Sequence, residues 1–131
     1  MTYSLYADSV NFNINLGSRM YPNSENNYDK SWIYAECTLT APNLKIIQAF
    51  NMQTFDLLNS VDIDNQNNFF LDTLEKQFSL EGISLSSGVE WHLMLMNDVQ
   101  HKYKFEIEFV TDSMQLEKFK KCIKSFLHEI C

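Results

Sequence analysis

The chain has 131 residues, the size of one domain, and its 45% apolar and 14% aromatic content can fill a core without disulfide or metal staples. Charged residues make up 21% and low-complexity tracts are absent, which excludes a globally disordered chain. No apolar run nears the ~18 residues of a membrane helix, and ten basic against seventeen acidic residues leave a net charge of −7.

From the N-terminus, Tyr3 and Leu5 alternate with Ser4 and Tyr6, and Ala7-Asp8-Ser9 can turn the chain back. Val10, Phe12, Ile14 and Leu16 then alternate with Ser9, Asn11, Asn13 and Asn15. Period two with one apolar face predicts an antiparallel strand wetted on one side. Gly17 to Lys30 reads as a loop, broken by Tyr21-Pro22-Asn23-Ser24 and Asn26-Asn27. Ser31–Thr40 is the next strand. Ile33, Ala35, Cys37 and Leu39 point one way, with Trp32, Tyr34, Glu36, Thr38 and Thr40 opposite. Pro42-Asn43 turns it into Leu44–Phe50.

From Met52 the period changes: Met52, Phe55, Leu58 and Val61 recur every three residues, which predicts a short amphipathic helix ending near Asp62. Asn65 to Asn68 is a polar break. Residues 69–80 fit either a strand or a helix, and the β-like flanks favour a strand over Thr73–Glu81. Gly82 to Gly88 reads as a loop or irregular edge. Glu90–Asn97 and Lys102–Thr111 form a hairpin across Asp98-Val99-Gln100-His101. Leu116, Phe119, Ile123, Phe126, Leu127 and Ile130 describe a closing amphipathic helix. Asp112 caps it and Gln115 stands at capping-box spacing. The sum is a single α+β domain over residues 1–131, with antiparallel sheet, a short central helix and a C-terminal helix packed on the sheet.

The charge is uneven: residues 1–101 carry four bases and twelve acids, whereas residues 102–131 carry six and five. Arg19 is the only arginine. Phosphate recognition recruits the arginine fork, and nucleic-acid binders show a basic footprint. The balance therefore argues against a nucleic-acid partner and for a basic protein partner, whose association an acidic body accelerates. Cys37, Cys122 and Cys131 are widely spaced, without a C-x-x-C pair, and fit free thiols in a reducing cytoplasm. Met1 to Val10 lacks a basic residue followed by an apolar block, so no secretory signal is expected.

Candidate chemistry is sparse. His92, His101 and His128 lack ligand spacing, so no metal is expected. The stretch from Asp62 to Asn68 is like a calcium loop, but Asn67 replaces its glycine and Thr73 its bidentate glutamate. GxSxG, SxxK and glycine-rich phosphate loops are absent, and no catalysis and no cofactor are expected. Glu106/Glu108 and Asp62/Asp64 are ordinary solvated carboxylates. Trp32, Tyr34, Trp91, Tyr103, Phe105 and Phe109 could line an apolar cavity or fill a core.

Tyr3-Ser4-Leu5, the Asp8-Ser9 turn, the strand to Leu16, Tyr21-Pro22 and Tyr28-Asp29-Lys30-Ser31-Trp32-Ile33 follow one another in an order that resembles the WapI-type immunity protein family. Phe55-Asp56-Leu57-Leu58, Leu74-Glu75, the late hairpin and the final helix keep that order. The resemblance implies a cytoplasmic antitoxin of bacterial competition that binds the toxic C-terminal domain of a cognate toxin, often an RNA-cleaving nuclease. Asp56, Asp62, Asp64 and Asp72 would then form part of an acidic contact face. The alternative is a small-ligand-binding or regulatory β-rich domain without catalysis.

Overall fold

A computed structural model describes residues 2–61, 68–96 and 103–130. The chain is α+β: among the described residues two four-stranded antiparallel sheets carry strands in sequence order. The first contains β1 (Thr2–Tyr6), β2 (Asn11–Arg19), β3 (Trp32–Ala41) and β4 (Leu44–Gln53). The second contains β5 (Asn68–Asp72), β6 (Phe78–Leu85), β7 (Gly88–Met96) and β8 (Lys104–Thr111). Helices α1 (Asn27–Lys30), α2 (Thr54–Val61) and α3 (Ser113–Ile130) complete the described elements. None of these helices is long and apolar enough to cross a membrane.

Turn chemistry sets the register. Ala7 and Val10 exchange backbone hydrogen bonds between β1 and β2. Between β3 and β4, Asn43 takes a φ of 62°, a left-handed conformation that asparagine tolerates. Between β6 and β7, Leu85 faces Gly88 across two serines, and Gly88 has a φ of 145°. A Cβ there would lie 2.4 Å from the Thr111 carbonyl oxygen, so only glycine fits.

The alternating apolar residues of both sheets face one continuous core. Phe78 of β6 stacks on Phe50 of β4 at 4.8 Å between ring centroids and lies 6.1 Å from Phe12 of β2, which locks sheet to sheet. Gln48 of β4 adds a polar link, donating from Nε2 to the carbonyls of Met96 (2.7 Å) and Gln77 (3.2 Å). From α3, Phe119 packs edge-on against Phe69 and tilted against Trp91. The indole N–H of Trp91 is satisfied by Thr111 Oγ1 at 2.8 Å.

Four expectations need correction. The segment from Gly17 to Lys30 is not all loop: β2 continues through an irregularity to Arg19, and α1 follows, capped by Asn26. Met52 belongs to β4, opposite Ile33, and α2 starts at Thr54. Its buried side is Thr54, Leu57, Ser60 and Val61, whereas Phe55 and Leu58 are exposed, so of the three-residue series only Val61 turns to the core from α2. The strand expected over Thr73–Glu81 begins only at Phe78, as β6: residues 73–77 are the turn from β5, in which Lys76 takes a φ of 61°. Gly82 is not in a loop but sits within β6 opposite Trp91, whose ring occupies the space a side chain would need. The hairpin turn at Asp98 to His101 lies outside the described residues.

Candidate functional site

The outer face of the first sheet is the most organised polar surface. Residues opposite one another in antiparallel strands share a face. Tyr6, Asn11, Thr40 and Lys45 therefore form one row, and Ser4, Asn13, Thr38 and Ile47 the next. Thr2, Asn15, Glu36 and Ala49 form a third, followed by Tyr34 with Asn51 and then Trp32 with Gln53. Ser4 Oγ donates to Asn13 Oδ1, which holds that amide in place. Asn11 Oδ1 is buried without a hydrogen-bond partner, an unusual acceptor to leave unpaired.

Two tyrosines rise from this amide field, Tyr6 at 56% and Tyr34 at 52% exposure. Beside Tyr34 the surface dips into a recess of about 240 Å³ lined by Asn15, Gly17, Tyr34, Glu36, Ala49 and Asn51. Its depth comes from small residues: Gly17 lies against the backbone of Tyr34, and Ala49 faces Glu36. The walls offer one aromatic face, two amides and a carboxylate. That set can stack on a flat ring and bond its polar edge.

The negative charge lies mostly elsewhere. On the outer face of the first sheet the ionisable pair is Glu36 and Lys45, which cancel. On the outer face of the second sheet Asp72, Glu81, Glu90, Glu106 and Glu108 are set against His92 and Lys104. Lys104 reaches Glu106 at 3.1 Å and His92 lies 3.6 Å from the same carboxylate. The net charge of the chain therefore misdescribes the first sheet. Arg19 donates to the carbonyls of Lys30 and, at 2.8 Å, of Ile130. It is a brace between β2 and the ends of α1 and α3.

Of the acidic quartet, Asp62 and Asp64 lie outside the described residues. Asp56 and Asp72 are near enough to repel. Asp56 is half-buried and accepts the backbone N–H groups of Gln53 and Leu74, which holds the start of α2 to the β5–β6 turn. Burial pushes its carboxyl above the usual carboxylate range; those backbone bonds oppose the shift and Asp72 adds to it. Asp72 is paired with Lys76.

The six aromatics do not share a cavity. Trp91 and Phe109 are core, Phe105 is partly buried against it, Trp32 and Tyr34 are on the outer face of the first sheet, and Tyr103 is exposed. Cys37 is buried and its thiol is pushed up to about 12, chiefly by burial, which makes it inert. Among the described residues no group of three His, Cys, Asp or Glu could hold a metal ion. Sequence reasoning missed the Asn11–Asn13–Asn15 face by reading it only as the wet side of a strand. The usable signal was amide at every alternate position, where charged residues and threonine are commoner choices.

Fold and face define a class: a small two-sheet α+β domain with an electroneutral amide and aromatic surface. Its fold is similar to that of the plant transcriptional regulator PBF-2, with a TM-score of 0.58 and 11% identity over 97% of this chain and 80% of that one. It is similar too to WHY1 from Arabidopsis thaliana, with a TM-score of 0.57 and 11% identity over 97% of this chain and 88% of that one. No family model and no curated protein matches the chain. The resemblance to the WapI-type family thus rests on the residues quoted for it. The role drawn from it is corrected: a fold shared over nearly the whole chain with a transcriptional regulator overturns the reading as an immunity protein or antitoxin of bacterial competition. It also overturns a basic toxin domain as partner and the exclusion of nucleic acid. The physical error lay in treating net charge as uniform.

Proposed function

We propose that this chain is a non-catalytic regulatory domain that holds unpaired nucleic-acid bases on the outer face of its first sheet. The observation that carries this reading is the recess beside Tyr34, where an exposed ring stands among Asn15, Asn51 and Glu36. Aromatic side chains stack on any base, and amides and carboxylates bond base edges. The fold likeness to a transcriptional regulator agrees with it.

The charge distribution selects single strands. Duplex binding draws most of its affinity from phosphate contacts by Lys and Arg. Here Lys45 is the one cation in the strand rows of this face, and Arg19 is bonded to main-chain carbonyls. Splayed bases can use stacking and amide bonds without that cationic frame. Fluorescence anisotropy with a labelled single-stranded oligonucleotide and its matching duplex tests this. Tighter binding of the single strand with a shallow salt dependence is the expected result. A duplex preference, or no binding of either form, would overturn it.

A further inference from the structure

A second concavity lies away from the sheet face, between α2 and α3. It encloses about 560 Å³ and is lined by Thr54, Phe55, Leu58, Val61, Lys124, Leu127 and His128. Its apolar wall is unusual for the surface of a helix pair: Phe55 is 50% exposed and Leu58 46%. Lys124 and His128 stand one helical turn apart on α3 at the same groove, and among the described residues no carboxylate lines it. In a chain with a net charge of −7, a concavity whose described lining combines an apolar wall with basic groups as its only ionisable ones is selective by sign.

We infer that this groove binds the carboxylate form of a medium-chain fatty acid. The alkyl chain lies along Phe55, Leu58 and Leu127, and the carboxylate meets the Lys124 ammonium and the His128 ring N–H. Helix α2 has eight residues, which gives a wall about 12 Å long and room for an alkyl chain on the order of ten carbons. The space falls within the usual range for small-molecule sites. A protein partner fits less well, because a stable interface buries about 800 Å² on each side and the apolar patch here is a few side chains wide. The site shares no residue with the recess beside Tyr34, so it stands or falls independently of the oligonucleotide reading.

The test is an amide-resolved NMR titration of the intact chain with decanoate, decanol and decyltrimethylammonium, each below its micelle concentration. Saturable shifts confined to α2 and the second half of α3 are expected, with decanoate favoured over the cation by about tenfold. Across a series of carboxylates, affinity should rise about two- to fourfold per added methylene until the groove is full. Lys124→Glu should abolish the preference for the anion while leaving the melting temperature and oligonucleotide binding unchanged. Leu58→Asp, at an exposed position, should weaken every alkyl ligand. Equal or tighter binding of the cation, shifts centred on the sheets, or no saturable binding would each overturn the proposal.

Discussion

Gln115 and Tyr6 are 109 positions apart and exchange two hydrogen bonds: Tyr6 N–H donates to Gln115 Oε1 at 2.6 Å, and Gln115 Nε2 donates to the Tyr6 carbonyl at 2.8 Å. The side-chain amide thus acts as a short strand partner for the edge strand β1. Meanwhile the Gln115 backbone N–H is capped by Asp112 Oδ1 at 3.0 Å. The capping-box spacing located the helix start, but the glutamine side chain serves the sheet instead. Edge strands need such protection, and here it also anchors the base of the Tyr6 side chain. Gln115→Ala should lower stability by about 1 kcal/mol and speed hydrogen exchange at the Tyr6 amide, read by urea unfolding and exchange NMR.

Gly82 lies under the Trp91 ring, and a Cβ there would meet Trp91 Cζ3 at 2.8 Å. Trp91 is fully buried and stacks with Phe109, so it has little room to retreat. Gly82→Ala should cost about 1–3 kcal/mol and alter the emission of the buried indole. Chemical denaturation followed by tryptophan fluorescence reads both effects.

Thr111 Oγ1 accepts the same indole N–H and donates its own hydroxyl to the Asp112 carbonyl at 3.0 Å. Thr111→Val keeps the shape and leaves a buried donor unpaired, which should cost about 1–3 kcal/mol. Thr111→Ser should recover most of that loss. Equal stability of the valine and serine variants in thermal melts would contradict the assigned bond.

Burial raises the Asp56 carboxyl above its ordinary range, so the folded state binds that proton more readily than the unfolded chain does. By linkage its contribution is most favourable below the unfolded carboxylate pKa and is lost as pH rises through the raised folded value. Asp56→Asn removes this dependence. The melting temperature of the native chain should therefore gain on that of Asp56→Asn as pH falls from neutral through the carboxylate range. A gap that moves the opposite way would show that hydrogen bonding to the charged form outweighs burial.

Much of the fold was legible because one-sided strands declare themselves. Val10 to Leu16 and Ile33 to Leu39 alternate cleanly, and the final helix repeats at three and four residues; each of these apolar faces packs in the core. The β5–β6 hairpin was not legible. Leu74 carries an apolar label but is exposed in the turn, and with Phe78 and Leu80 it extended the β6 alternation back across that turn. Gly82 looked like a breaker because nothing local announces that Trp91 covers it. The candidate site failed for a different reason. Composition sums charge over the whole surface, whereas the acids of the strands gather on the outer face of the second sheet. The recess at Tyr34 is made of residues from β2, β3 and β4, a set that only strand register brings together.

The central claim is that Tyr6 and Tyr34 are the stacking platforms of the first sheet. Removing both rings without touching the core tests it most directly, by measuring single-stranded oligonucleotide affinity of Tyr6→Ala/Tyr34→Ala beside the native chain. At about 1–3 kcal/mol per stacked base, the double variant should bind at least about thirtyfold more weakly while melting at nearly the same temperature. Unchanged affinity in a folded double variant would contradict the account.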